Sequence, residues 1–149
     1  MEGKEFFVFA QKLVQIRTEP ALRSAISRAY YAAYHCCIQL LRELGFQFSK
    51  DASAHDKVFA YLNNSAISEI QAAADNLTHL RRHRNSADYD LTSKEFQNHI
   101  DCQLDLARAQ SIILQIEKYS QEPLRTQLRN GMREYEAKIS FSPSSRQAP

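Results

Sequence analysis

Two stretches of this chain concentrate side chains that do chemistry on anions. The first, Ser27-Arg28-Ala29-Tyr30-Tyr31-Ala32-Ala33-Tyr34-His35, is dense in groups that a plain core helix does not need. At the helical rotation of about 100° per residue, Ser24, Arg28, Tyr31, His35 and Arg42 fall on one side, opposite an aliphatic stripe. Such a side binds a phosphate-bearing ligand, meets a partner subunit, or is a solvated face of snorkelling arginines. The second stretch is Arg81-Arg82-His83-Arg84-Asn85-Ser86-Ala87-Asp88-Tyr89-Asp90. Cations complement the negative end of a helix, which is a structural reason for three arginines and a histidine there. Arg84 also continues the apolar face of Ile70 and Leu77, where an unpaired guanidinium is costly, so it calls for a carboxylate or a bound anion. Asp88, expected in the loop just beyond, is the nearest carboxylate, and Arg28 competes for it. The spacing predicts one polar cluster of Arg28, Arg84, Asp88 and Tyr89 where two helices meet.

The elements that must position these residues are helices. Among 149 residues there are only three glycines and four prolines, too few for a turn-rich sandwich or barrel, and 44% hydrophobic residues fill one core. The expectation is an all-α, antiparallel up-and-down bundle of four long helices plus short ones. Phe6, Phe9, Leu13 and Ile16 mark a helix over residues 4–17. Leu22, Ile26, Ala29, Ala33, Cys37, Leu40 and Leu44 mark a second over residues 20–44, opened by Pro20 and closed by Gly45. A short helix over residues 55–61 and a turn at Asn63-Asn64-Ser65 lead to a third long helix with Ile67, Ile70, Ala74 and Leu77 on one face. Thr92 with Glu95 reads as a capping box for a fourth, inward-facing through Phe96, Ile100, Leu104, Ala107 and Leu114 and ending near residue 119. Pro123 closes the bundle, so residues 1–122 form it. Residues 123–138 add a helix with Arg125, Arg129 and Arg133 along one side, and residues 139–149 read as a disordered tail.

Several function classes are excluded or unsupported. No apolar run approaches the roughly 18 residues of a membrane span, and the first residues lack the layout of an export signal, so a cytoplasmic chain without a membrane role is expected. Cys36, Cys37 and Cys102 form no disulfide framework or zinc pattern. His79 and His83 have metal-ligand spacing but no Glu or Cys beside them in a matching motif, so neither metal nor cofactor is expected. A net charge of +2 does not by itself indicate nucleic acid.

The tyrosine-rich segment 27–35, followed downstream by Arg84-Asn85-Ser86-Ala87-Asp88-Tyr89, resembles the HEPN domain, a helical-bundle family that binds nucleotides or RNA. The resemblance implies a bundle that commonly forms a homodimer with its site in a cleft at the interface. It also implies an alternative activity, metal-independent RNA cleavage, whose signature is an Arg, a polar residue such as Asn, and a His after four to six intervening residues. In that chemistry the 2′-hydroxyl attacks the adjoining phosphate, the His moves protons and the Arg stabilises charge on phosphorus. Arg84 and Asn85 match, but Tyr89 stands where the His belongs, so His35 or His83 would have to replace it. Arg28 and His35 also have six residues between them, but Ala29 follows that Arg and both lie within one helix. Stand-alone members are often paired with a minimal nucleotidyltransferase in toxin–antitoxin systems, and in some pairs a tyrosine two residues after the His is adenylylated. Here that position is Leu91. The resulting expectation is a nucleotide- or RNA-binding protein with Arg84, Asn85 and His35 as catalytic candidates and Arg28, Tyr31, Asp88 and Tyr89 as ligand-binding ones. The remaining alternative is a helical protein-interaction module in which Arg28, Arg84 and Asp88 only hold the bundle together.

Overall fold

Apolar residues at intervals of three and four fold into six helices among the described residues: α1 (Lys4–Ile16), α2 (Glu19–Glu43), α3 (Ser53–Asn63), α4 (Ser68–Tyr89), α5 (His99–Tyr119) and α6 (Leu124–Ser140). A 3-10 turn at Glu95–Gln97 precedes α5. Residues 1–141 are described, in a computed structural model, and among them there is no strand; the chain is an all-α helical bundle. No described helix is long and apolar enough to cross a membrane.

Helix α2 is the centre of the bundle and packs against α1, α4 and α5. Its stripe from Leu22 to Leu44 is buried as the spacing predicts, and Ala25 and Ala32 are also fully buried. Alanines on several sides let neighbouring helices approach closely while leaving one side for Arg28, Tyr31 and His35. Pro20 sits in the first turn of α2, and Gly45, at φ 98°, takes the left-handed backbone that ends it.

The inward faces of α1 and α5 differ from the expectation. On α1 the buried residues are Ala10 and Val14, with Phe6, Phe7 and Leu13 half-buried, while Phe9 and Ile16 are exposed. Residues Phe6 to Phe9 are apolar on every side, so periodicity alone does not select a face. On α5, Ile100, Leu104, Ala107 and Leu114 are exposed, and the core is built from Cys102, Leu106, Ala109, Ile112, Ile113 and Ile116. The true inner face looked polar because it carries Asp105, a carboxylate only 2% exposed.

Three boundaries also move. Helix α4 runs through Tyr89, so Asp88 lies on the helix and not in a loop. The cap of α5 is Asn98, whose side-chain oxygen accepts from the Ile100 amide at 2.9 Å, and Thr92 bonds to Asp90 in the preceding turn, so Thr92 and Glu95 form no capping box. Helix α6 belongs to the bundle, since Leu128 and Met132 are fully buried in the common core. A Cβ on Gly131 would come within 2.0 Å of the Ser65 carbonyl oxygen, a crossing that only glycine allows. Its arginines serve that docking in part: Arg133 lies over the Phe46 ring at 4.5 Å. Ile139 and Ser140 still belong to α6, and residues 142–149 of the expected tail lie outside the described residues.

Candidate anion-binding cleft

The polar side of α2 meets the C-terminal end of α4, and Arg84 is the junction. Its guanidinium donates to the Tyr31 hydroxyl and to the Asn85 amide oxygen at 2.9 Å, and it pairs with Asp88, one turn on, at 3.0 Å. It lies 5.0 Å from the Tyr31 ring centre and 5.8 Å from that of Tyr89. The side chain is 18% exposed, so the inward turn read from Ile70 and Leu77 is correct and Asp88 supplies the carboxylate it needs.

Arg28 does not compete for Asp88. It donates to Ser27 Oγ at 3.3 Å, and Ser27 in turn donates to Asp88 at 3.2 Å, so a hydroxyl links the two. The Arg28 guanidinium rests over the rings of Phe6 and Tyr31 at 5.3 and 5.0 Å. The predicted set therefore divides between adjoining concavities. Arg28, Ser27 and Asp88 line a groove of about 350 Å³ beside Phe9 and Leu13. Tyr31, His35, Arg84 and Asn85 line a larger cleft of about 640 Å³. Tyr89 lines neither concavity: it is largely exposed, with its ring 5.8 Å from the Arg84 guanidinium. His83 faces away from Arg84 and bonds to Asp105 on α5 at 2.8 Å, which removes it as a substitute for the missing signature histidine.

The larger cleft contains residues that the sequence reading did not assign. Four cations, Arg42, Lys50, Arg81 and Arg84, converge on it against a single lining carboxylate, Asp51. Arg81 is paired with Asp56 at 2.6 Å, whereas Arg42 and Lys50 make no ion pair among the described residues. His55 enters from the first turn of α3. Its ring lies flat on Tyr34, centroids 3.9 Å apart, and its Nδ1 is bonded to the Tyr30 hydroxyl, so Nε2 is the nitrogen left to meet a ligand. His35 stacks on Tyr31 and Phe6 and meets the edge of the same Tyr34 ring at 5.5 Å. The cleft thus brings two imidazoles to the arginines, where the sequence supplied only one. The signal for His55 was weak, because it stands apart from both chemistry-bearing stretches.

Burial lowers the pKa of both imidazoles, aided at His35 by Arg42 and at His55 by Arg81 and then Arg84. Both rings are therefore neutral at neutral pH. A folded-state pKa below the ordinary value of about 6.5 means the unfolded chain binds more protons in the interval between the two. This contribution to stability is complete above about pH 6.5 and is lost as the pH falls towards the folded-state value. Thermal melts should show Tm falling on acidification from about pH 7 to 5, and His55→Gln should flatten part of that fall. His35 and His79, whose pKa values are also lowered, keep the remainder. An unaltered pH profile in the His55 variant would contradict the assignment.

The cysteines take no part. Cys37 is fully buried, and burial pushes the Cys36 thiol up to about 11, so neither is a thiolate at neutral pH. No family model, curated protein or solved structure matches the chain, so any functional reading rests on the chemistry of the cleft itself.

Proposed function

We propose that the chain is a HEPN-type nucleotide- or RNA-binding protein whose ligand phosphate sits among Arg42, Lys50, Arg81 and Arg84. The observation that carries this reading is the convergence of those four cations on one cleft walled by the Tyr31, Tyr34, His35 and His55 rings. Guanidinium groups hold phosphate oxygens in a fork, and flat rings beside them offer a base a stacking surface. The volume of about 640 Å³ is within the range of small-ligand sites. A minimal nucleotidyltransferase partner in a toxin–antitoxin-like pair belongs to this proposal through the family resemblance alone. So does a homodimer, which the exposed Phe9, Ile100 and Leu104 side chains favour and sedimentation equilibrium measures.

A fluorescent single-stranded RNA should bind with an affinity that falls with salt. Three or four phosphate contacts give a logarithmic slope of about −2 to −3. Absence of binding at about 0.1 mM protein in low salt would remove the proposal. Cleavage is the second reading, and the pair of neutral imidazoles beside Arg84 is the specific observation that favours it. One imidazole can take the 2′-hydroxyl proton and the other, once protonated, can give one to the leaving oxygen. Cleavage products formed in chelator and lost in His55→Gln distinguish this reading from binding alone.

A further inference from the structure

The face of α4 turned away from the cleft holds a second cluster. His79 and His83 stand one turn apart on α4 with ring centroids 4.2 Å apart, and Asp105 reaches them from α5. His83 Nδ1 lies 2.8 Å from Asp105 Oδ2, and His79 Nε2 lies 3.5 Å from Oδ1. One donor atom from each of the three residues falls within 4.8 Å of the others. We propose that His79, His83 and Asp105 form a site for one divalent transition-metal ion of the zinc class, bridging α4 and α5.

Three observations carry this assignment independently of the cleft. Bonds of about 2.0–2.1 Å in tetrahedral geometry place donors roughly 3.3 Å apart, and here the two nitrogens lie 2.8 and 3.5 Å from the two carboxylate oxygens with the three donors within 4.8 Å, so side-chain rotation draws them onto one ion. Asp105 is 2% exposed, a carboxylate kept in the core beside two imidazoles, and Arg108 is the one formal cation that reaches it among the described residues. His79 Nε2, itself buried, has no hydrogen-bond partner although it faces that carboxylate.

Arg108 is the competing cation. It pairs with Asp105 Oδ1 at 3.0 Å, but its side chain is 37% exposed and can turn outward when a metal takes that oxygen. Three protein donors leave the fourth position to water. Mixed nitrogen and oxygen ligands suit zinc, cobalt or nickel better than magnesium or calcium. The ion would fasten the end of α4 to α5 one residue before Arg84, on the side opposite the cleft. The sequence supplied the two histidines, and the third donor, distant in the chain, appears only when α5 packs against α4.

Chelator-treated full-length protein titrated with Co²⁺ and Zn²⁺ tests the site. One equivalent of Co²⁺ should bind with visible absorption of tetrahedral type, and Zn²⁺ should raise Tm with increasing free metal. His79→Ala and His83→Ala should each weaken binding about 10- to 100-fold, and His99→Ala should leave it unchanged. His79→Gln/His83→Gln serves if the alanine pair does not keep its helical circular dichroism. Unchanged binding in the double variant, a thiolate band in the cobalt spectrum, or no Tm shift at about 1 mM Zn²⁺ would each overturn the proposal. RNA affinity is measured separately, so failure here leaves the cleft untouched.

Discussion

Arg84→Ala is expected to weaken RNA binding about 10- to 100-fold and to reduce the salt slope by roughly 0.7, with little change in Tm. A charge-assisted hydrogen bond to phosphate contributes about 1.5–3 kcal/mol, which corresponds to that factor. The small stability cost follows from what truncation leaves behind. Asp88 keeps the Ser27 hydroxyl at 3.2 Å, and Asn85 lies on the exposed side of α4. Arg84→Lys should recover only part of the affinity, because a point charge cannot reproduce a planar fork held by Tyr31 and Asn85. Anisotropy titrations at three salt concentrations, with melting curves on the same samples, provide the measurement. A lowered Tm with unchanged affinity would establish the purely structural role and remove the binding proposal.

The parts of this architecture legible in the sequence are those where helical spacing and side-chain chemistry agree. On α2 every residue of the aliphatic stripe is buried and the Arg28, Tyr31 and His35 side is left open, since alanines and branched aliphatics leave no ambiguity about which face is inside. On α4 the run of Ile70, Ala74 and Leu77 into Arg84 located the junction with α2 for the same reason. The reading failed where composition and burial diverge. Helix α5 has apolar residues on two sides, and the inner one includes Asp105, so the stripe without a charge was the plausible choice and the wrong one. Asp105 is tolerated because His83 and Arg108 reach it, and both contacts depend on how α4 and α5 are apposed. His55 was missed on similar grounds: it sits at the start of a short helix, and only the fold sets it against Tyr30 and Tyr34.

The residue whose loss should cost most was hidden for the same reason, since Arg23 looks like one more cation in the first turns of α2. It is only 8% exposed. Its Nη1 donates to the carbonyl oxygens of Ala87 and Asp90 at 2.9 Å, its Nη2 donates to Ser93 O at 2.9 Å, and Glu19 accepts from Nε and Nη2 at 3.0 and 2.9 Å. The guanidinium also lies 4.7 Å from the Phe96 ring centre. The last carbonyls of a helix have no amide partner of their own, and here one side chain from α2 satisfies those at the end of α4 and in the turn that follows. Arg23→Met would leave buried acceptors unpaired together with the Glu19 carboxylate, a loss of about 3–5 kcal/mol. In a chain of this size that corresponds to a Tm lower by about 10–20 °C. Arg23→Lys should recover little, because one ammonium cannot reach carbonyls spread over Ala87, Asp90 and Ser93. A Tm within about 2 °C of the parent would show that water replaces these bonds at little cost. Arg23 fixes the end of the helix that carries Arg84, so its loss should weaken RNA binding and stability together, whereas Arg84→Ala weakens binding alone. This difference separates the arginine that holds the bundle from the one that Tyr31, Asn85 and Asp88 hold at the cleft.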